Sequence, residues 1–223
     1  MEKSTSEKVI LLSEKPSLVT HILSELRDIN IQKDSLRFRR NLERISEIIA
    51  YEISKTIDYQ TENVTTMLGE AKATKIKDTV VIASILRAGI PMHLGFLNYF
   101  DKAENAFISA YRKYKKDSSF EIKFEYLSSP EIDGKIVILA DPMLATGSSM
   151  VMAYKNLIEK GTPKFTYIVS LIASKEGIEY VEKYMPNKDY CMYIVAIDDE
   201  LTAKGYIVPG LGDAGDLAFG SKI

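Results

Sequence analysis

Five short runs of aliphatic and β-branched residues, separated by stretches of helical periodicity, constrain the fold of this chain more than any other feature. They are TVVIASI at 79–85, NAFISAY at 105–111, KIVILA at 135–140, FTYIVSLIA at 165–173 and CMYIVAI at 191–197. Each is apolar throughout instead of at every second residue, so both faces of each strand must be covered. Helical patterns over Ile90 to Tyr99, Ser148 to Lys160 and Lys175 to Tyr184 lie between them. Strands alternating with helices of this length need crossover connections. The expected fold is α/β, a mainly parallel sheet of about five strands flanked by helices.

Upstream, Phe38, Leu42, Ile45, Ile49 and Ile53 recur at steps of three and four between Asp34 and Thr56, which predicts an amphipathic helix with Asp34 at its cap. FEIKFEYL, within residues 113–134, alternates and predicts an antiparallel strand or arm. Repeats, low-complexity tracts and Pro/Gly-rich linkers are absent from the sequence. The expectation is one domain over 1–223, with an N-terminal helical extension at 1–78, an α/β core at 79–198 and a C-terminal loop at 199–223.

Composition then excludes several functions. A balance of 29 Lys and Arg against 31 Asp and Glu leaves a net charge of −2, so a global positive field for nucleic acid is missing and any anion must be held by local groups. A single cysteine, Cys191, allows no internal disulfide, and two histidines, His21 and His93, weaken a zinc-enzyme reading. The first residues, MEKSTSEKVILLSEK, do not resemble a secretory signal, and the longest apolar runs fall far below the roughly 20 residues that cross a bilayer. A cytoplasmic protein without nucleic-acid or membrane partners is the expectation.

The residues that carry chemistry follow the run at 135–140, where an apolar strand ends in Asp141 and passes through a small-residue loop into a helix. Ligands of open α/β sheets gather at such carboxyl ends. Thr146, Gly147, Ser148 and Ser149 offer amides and hydroxyls at a helix start, where the dipole favours phosphate. Asp141 cannot attract phosphate, so it suits sugar hydroxyls or a metal beside the phosphate. From the pattern alone, a strand-to-helix turn capped by Asp141 and Thr146 is an equal reading. Farther on, Gly210, Gly212 and Gly215 spell GxGxxG, but only eight residues follow Gly215, too few for the helix, strand and acid of a dinucleotide site. A glycine-rich loop with Pro209 suits wrapping backbone around a small planar base, or is a plain surface loop.

The wording of these segments goes further. ADPMLATGSS at 140–149 resembles the phosphoribosyl-diphosphate motif DPMLATGGS of uracil phosphoribosyltransferases, SILRAG at 84–89 their PILRAG, and GYIVPGLGDAGDL at 205–217 their GYIIPGLGDAGDR. Arg37-Phe38-Arg39 and Tyr111-Arg112 fall in the expected order, so the resemblance runs from about residue 35 to the end. It implies a type I phosphoribosyltransferase fold and conversion of uracil and 5-phospho-α-D-ribose 1-diphosphate to UMP and diphosphate, with Mg2+. It also implies roles. Arg87 and Arg112 would contact the diphosphate. Asp141, Pro142, Met143, Leu144, Ala145, Thr146, Gly147, Ser148 and Ser149 would hold the ribose and 5′-phosphate. Ile207, Gly212, Asp213 and Ala214 would hold uracil through backbone, making 199–223 the base-binding loop, with Asp213 facing the donor or its magnesium. No direct protein ligand to the metal is implied, because the substrate diphosphate carries it.

Three positions depart from the family wording: Ser84 for proline, Ser148 for glycine and Leu217 for arginine. Ser148 is harmless if its φ is helical. Leu217 removes whatever ion pair the arginine makes, and so keeps two alternatives open: a weakened or regulatory binder of donor and uracil, and an enzyme for another pyrimidine. Family analogy implies a homodimer or higher homo-oligomer and a possible nucleotide activator, for which Arg37, Arg39, Arg40 and Arg44 offer a basic patch or else a solvated face. Arg112, Lys113, Lys115 and Lys116 beside Tyr111 and Tyr114 form a second cluster, for which RNA binding is the lesser reading. His93 and Cys191 read as packing residues.

Overall fold

The computed structural model describes residues 8–114 and 120–221, and the side chains of 110–124 lie outside what it describes. The chain opens with β1 (Val9–Leu11), α1 (Leu18–Arg27) and α2 (Ser35–Ser54). Asp34 caps α2 by accepting from the Arg37 amide at 3.0 Å, and Phe38, Leu42, Ile45, Ile49 and Ile53 are all buried along one stripe, as the spacing predicts. Each such side chain contributes about 1.5–3 kcal/mol by leaving water. A hairpin, β2 (Tyr59–Thr66) and β3 (Gly69–Ile76), comes next.

The core then alternates as expected: β4 (Val80–Leu86), α3 (Ile90–Leu97), β5 (Glu104–Tyr114), β6 (Phe120–Ser128), β7 (Ile136–Ala140), β8 (Met143–Leu144), α4 (Ser148–Leu157), β9 (Phe165–Ser174), α5 (Lys175–Tyr184) and β10 (Tyr190–Asp198). Two short strands, β11 (Glu200–Leu201) and β12 (Ile207–Val208), and α6 (Ala214–Phe219) finish the chain. The sheet order is β1-β10-β9-β7-β4-β5-β6, with β8 beside β9. All its pairs are parallel except β5 with β6. One apolar cluster joins α1, α2 and α3 to one face, and a second joins α4 and α5 to the other.

Several expectations need correction. The sheet has eight strands, not about five, because β1, β6 and β8 join the five apolar runs. Residues 1–78 are not simply a helical extension: β1 extends the sheet along β10, and 59–76 form the hairpin. That hairpin escaped notice because neither face is covered, so no apolar alternation marks it; Met67 and Leu68 at its tip are fully exposed. The C-terminal segment is not simply a loop: β11 and β12 pair within it, and α6 forms after Asp213. The strand expected in FEIKFEYL is β6.

Candidate active site

Strand order locates the crevice. From β4 the chain moves outward through α3 to β5 and β6, then returns to β7 on the other side of β4 and moves away through α4 to β9. The two crossovers lie on opposite faces, so a crevice opens between the carboxyl ends of β4 and β7, the usual ligand position in such sheets. The residue after β4 is Arg87 and the residue after β7 is Asp141. Topology thus brings together two of the chain's expected donor-binding residues.

The turn after β7 is stitched to β9 by backbone. Leu171 and Ile172 amides both donate to the Pro142 carbonyl at 3.1 Å, and Met143 and Leu144 pair with Ile172 and Ala173. The Ser170 hydroxyl donates to Asp141 O at 2.7 Å and the Ser174 hydroxyl to Ala145 O at 2.6 Å. Gly147 takes φ +75° at the N-cap of α4, where no side chain caps the helix. A Cβ there would fall 2.6 Å from the Gly177 carbonyl, so the position suits glycine twice over. Ser148 lies in the helix, so the family's missing glycine causes no strain there, and its hydroxyl sits 2.7 Å from that of Thr146.

A recess of about 20 Å³ at this helix start is lined by Asp141, Met143, Leu144, Ala145, Thr146, Gly147, Ser149 and Met150. It has room for one water-sized group, such as a single phosphate oxygen. Pro142 and Ser148 do not line it. Met150 does, although as an apolar helix residue it gave no signal in the sequence. A larger cavity of about 280 Å³ lies at the opposite edge, beside the first residues of β7, β9 and β10. Its rim charges are spent internally, Lys164 pairing with Asp58 and Asp78.

The C-terminal segment folds over the same crest. Asp213 caps α6 by accepting from the Asp216 amide at 3.0 Å. Arg87 Nη2 donates to Asp216 Oδ1 at 3.1 Å and to Gly220 O at 2.9 Å, while its buried Nε has no hydrogen-bond partner among the described residues. The side chains of this ion pair are 37% and 35% exposed, and a pair so open is worth at most about 1 kcal/mol. An arriving polyanion can therefore exchange with Asp216. In the glycine-rich C-terminal loop, Ile207 is buried and paired with Leu201, Gly212 is exposed, and Ala214 is buried in the first turn of α6. The Leu86–Arg87 and Val208–Pro209 peptides are cis. Arg112 occupies a position on β5 opposite Ile122, and its side chain lies outside the described part, as do those of Lys113, Lys115 and Lys116.

Against known proteins, the model of the family described as uracil phosphoribosyltransferase matches residues 13–221. The chain belongs to the uracil phosphoribosyltransferase family. A uracil phosphoribosyltransferase of Porphyromonas gingivalis is 54% identical over 97% of this chain and 100% of its own length. One of Pyrococcus furiosus is 40% identical over 92% of this chain and 87% of its own length. Among solved structures, a protein of Aquifex aeolicus superposes with a TM-score of 0.85 at 29% identity, covering 96% of this chain and 99% of that one.

Departures from the uracil phosphoribosyltransferase wording now have surroundings. Ser84, in the family's proline position, is buried and its Oγ lies 2.9 Å from His93 Nδ1; His93 Nε2 in turn lies 2.7 Å from Asn105 Oδ1. Burial lowers the His93 pKa, partly opposed by Asn105, so the ring is neutral at pH 7 with Nε2 donating to the amide oxygen. Burial likewise pushes the Cys191 thiol up to about 11, at the amino end of β10. Neither group is placed to act as a nucleophile. Leu217 is half-buried against the larger apolar cluster, close to Gly212. Of the basic residues on α2, Arg37 pairs with Glu25, Arg40 with Glu43, and Arg39 donates to Ala218 O at 2.6 Å, so most of that patch serves the fold. Among the described residues, no helix is long and apolar enough to cross a membrane.

Proposed function

We infer that the protein transfers the phosphoribosyl group of 5-phospho-α-D-ribose 1-diphosphate to uracil, giving UMP and diphosphate. The observation that carries this reading is that the neighbouring strands β7 and β4 end in the 141–149 loop and in Arg87, and that Arg87 bonds Asp216 and Gly220 of the segment with the family's base-binding wording. The first turn of α4 and the hydroxyls of Thr146, Ser148 and Ser149 would take the 5′-phosphate, as a helix start with free amides favours an anion. Asp141 would hold ribose hydroxyls. Arg87, leaving Asp216, and Arg112 would take the diphosphate through guanidinium forks.

Departure of diphosphate leaves positive charge on the ribose and negative charge on the leaving group. Asp141 would favour the first and the arginines the second. Ile207, Gly212, Asp213 and Ala214 would present backbone donors and acceptors to uracil, which fits the exposed Gly212. Among the described residues no three His, Cys, Asp or Glu side chains gather around a common point. Mg2+ would be carried by the substrate diphosphate, and the carboxylates of Asp141, after β7, and Asp213, before α6, are the protein groups offered to its water shell. Once bound, the ion would offset charge on the departing diphosphate. The chemistry is displacement by positioned reactants, without a covalent intermediate on the protein. Homo-oligomer formation belongs to the same reading, favoured by the bare apolar tip of the hairpin at Met67 and Leu68. For a nucleotide activator, the engaged arginines of α2 offer little support.

Uracil, cytosine, hypoxanthine and orotate incubated separately with the donor and Mg2+, with diphosphate release followed, test the reading. Uracil alone should turn over, and Asp141→Asn should lower that rate at least tenfold with an unchanged circular dichroism spectrum. Preference for another pyrimidine would move the substrate assignment. Donor binding without turnover of any base would replace the enzyme with a regulatory binder.

A further inference from the structure

At Gly210 the base loop is held by two residues from distant parts of the chain. Arg27 ends α1 and Asp198 ends β10. Their side chains meet as a fork, Nη1 to Oδ2 and Nη2 to Oδ1, both at 2.8 Å. Both also hold Gly210. Its amide donates to Asp198 Oδ2 at 2.8 Å, and its carbonyl accepts from Arg27 Nη1 at 3.0 Å. One ion pair therefore satisfies both backbone polar groups of a single loop residue.

Gly210 stands between Ile207 on one side and the span Gly212 to Ala214 on the other, the two segments assigned to uracil. Holding its peptide groups fixes the direction in which both segments leave it. The pair is well placed for this, since the side chains of Arg27 and Asp198 are only 24% and 7% exposed. Burial by itself would raise the Asp198 pKa, but the Arg27 fork, the Gly210 amide and the charge of Arg27 bring it below the usual carboxylate range, so the clamp is ionised at neutral pH. Gln32 reinforces the corner: its amide donates to the carbonyls of Leu26 and Arg27, both at 3.1 Å. An ordinary surface salt bridge would show neither the burial nor the shared backbone partner.

We propose that Arg27 and Asp198 are positioning residues for the pyrimidine base, acting through Gly210 to set the geometry of the base loop without touching uracil. This rests on the assignment of the loop to uracil. It predicts an effect on one substrate only, because the donor loop is stitched to β9 by contacts that do not involve these residues.

Steady-state kinetics with each substrate varied in turn on purified full-length Asp198→Asn, Arg27→Lys and Gly212→Ala test it. Arg27→Lys keeps a cation beside Asp198, so it guards against a variant that fails to fold, yet a lysine cannot fork to the carboxylate and also reach the Gly210 carbonyl. Asp198→Asn and Arg27→Lys should each raise the uracil KM about tenfold, with the donor KM within twofold of wild type and kcat within threefold. A purely structural pair would lower the active fraction and the melting temperature while leaving both KM values alone. That result overturns the proposal, as does an equal rise in both. Gly212→Ala separates the two levels: a raised uracil KM in this variant with none in the other two refutes the clamp and keeps the loop assignment. An unchanged uracil KM in all three refutes the loop assignment itself.

Discussion

Gly147→Ala tests the donor loop through a cost that can be worked out in two parts. The first is conformational. Gly147 has φ +75°, and an L-residue in that region costs about 1 kcal/mol. The second is steric. The added Cβ would lie 2.6 Å from the Gly177 carbonyl oxygen and 3.0 Å from Tyr180 Cβ. The first of these is backbone in α5, unable to rotate away, so the loop or the helix must move; overfilling of this kind costs about 1–3 kcal/mol. Gly134→Ala isolates the first part, since Gly134 has φ +66° and a Cβ there would meet nothing within 4 Å. At about 2–4 °C per kcal/mol for a domain of this size, Gly134→Ala should lower Tm by a few degrees and Gly147→Ala by about 5–15 °C. Thermal unfolding at fixed protein concentration gives both values. Because the shifted backbone is the one proposed to cradle the phosphate, Gly147→Ala should also raise the donor KM at least tenfold, and Gly134→Ala should not. Equal Tm losses would refute the steric argument. A distinct loss with an unchanged donor KM would refute the cradle.

Two further outcomes are expected. Folded His93 has a pKa below its ordinary value of 6.5, so as pH falls through about 6.5 the unfolded chain takes up a proton that the folded protein refuses. Stability should fall across that window and level off below the folded pKa. His93→Gln should flatten the slope of Tm between pH 7.5 and 5.5, and an identical slope in both proteins would exclude the burial of a neutral ring. Leu217→Arg should change uracil turnover less than twofold, because Leu217 already packs on the main cluster and the stem of an arginine covers part of the same surface. A tenfold gain would mean that Leu217 weakens the enzyme.

The sequence made the strands with two covered faces legible, because burial on both sides writes itself as an unbroken apolar run. It hid the elements whose backbone pairs without burying side chains. β1 is three residues of an edge strand, and β2 and β3 carry YQTENVTT and GEAKATKI, which expose both faces. The helix start after the small residues at 145–147 was readable because Gly147 and the serines that follow mark a turn into a helix, and the structure begins α4 at Ser148. Arg27 and Asp198 were unreadable for the opposite reason: they are 171 residues apart, and an arginine and an aspartate at element ends look like solvated charges until the fold brings them together. Asp216 is similar. Nothing in GDAGDL says that the carboxylate after the base loop would occupy the arginine expected to meet the diphosphate.

These contacts differ in how readily they can yield. Phosphoribosyl transfer needs the anomeric carbon and the base nitrogen aligned to within a fraction of an ångström, which demands that the surfaces presenting them stay fixed. The donor loop answers with backbone bonds to β9, and the base loop with a fork whose carboxylate is nearly enclosed. In the proposed role Arg87 would instead change partners, since a guanidinium bound permanently to Asp216 cannot hold a diphosphate. Its ion pair is the more open one and uses a single nitrogen, Nη2, at 3.1 Å, while Nε has no partner among the described residues. Breaking it costs little, and a polyanion returns more than is lost. On this reading the more open pair, Arg87 with Asp216, would yield to the donor while the less exposed pair, Arg27 with Asp198, would stay, so capture of the donor need not loosen the geometry that awaits the base.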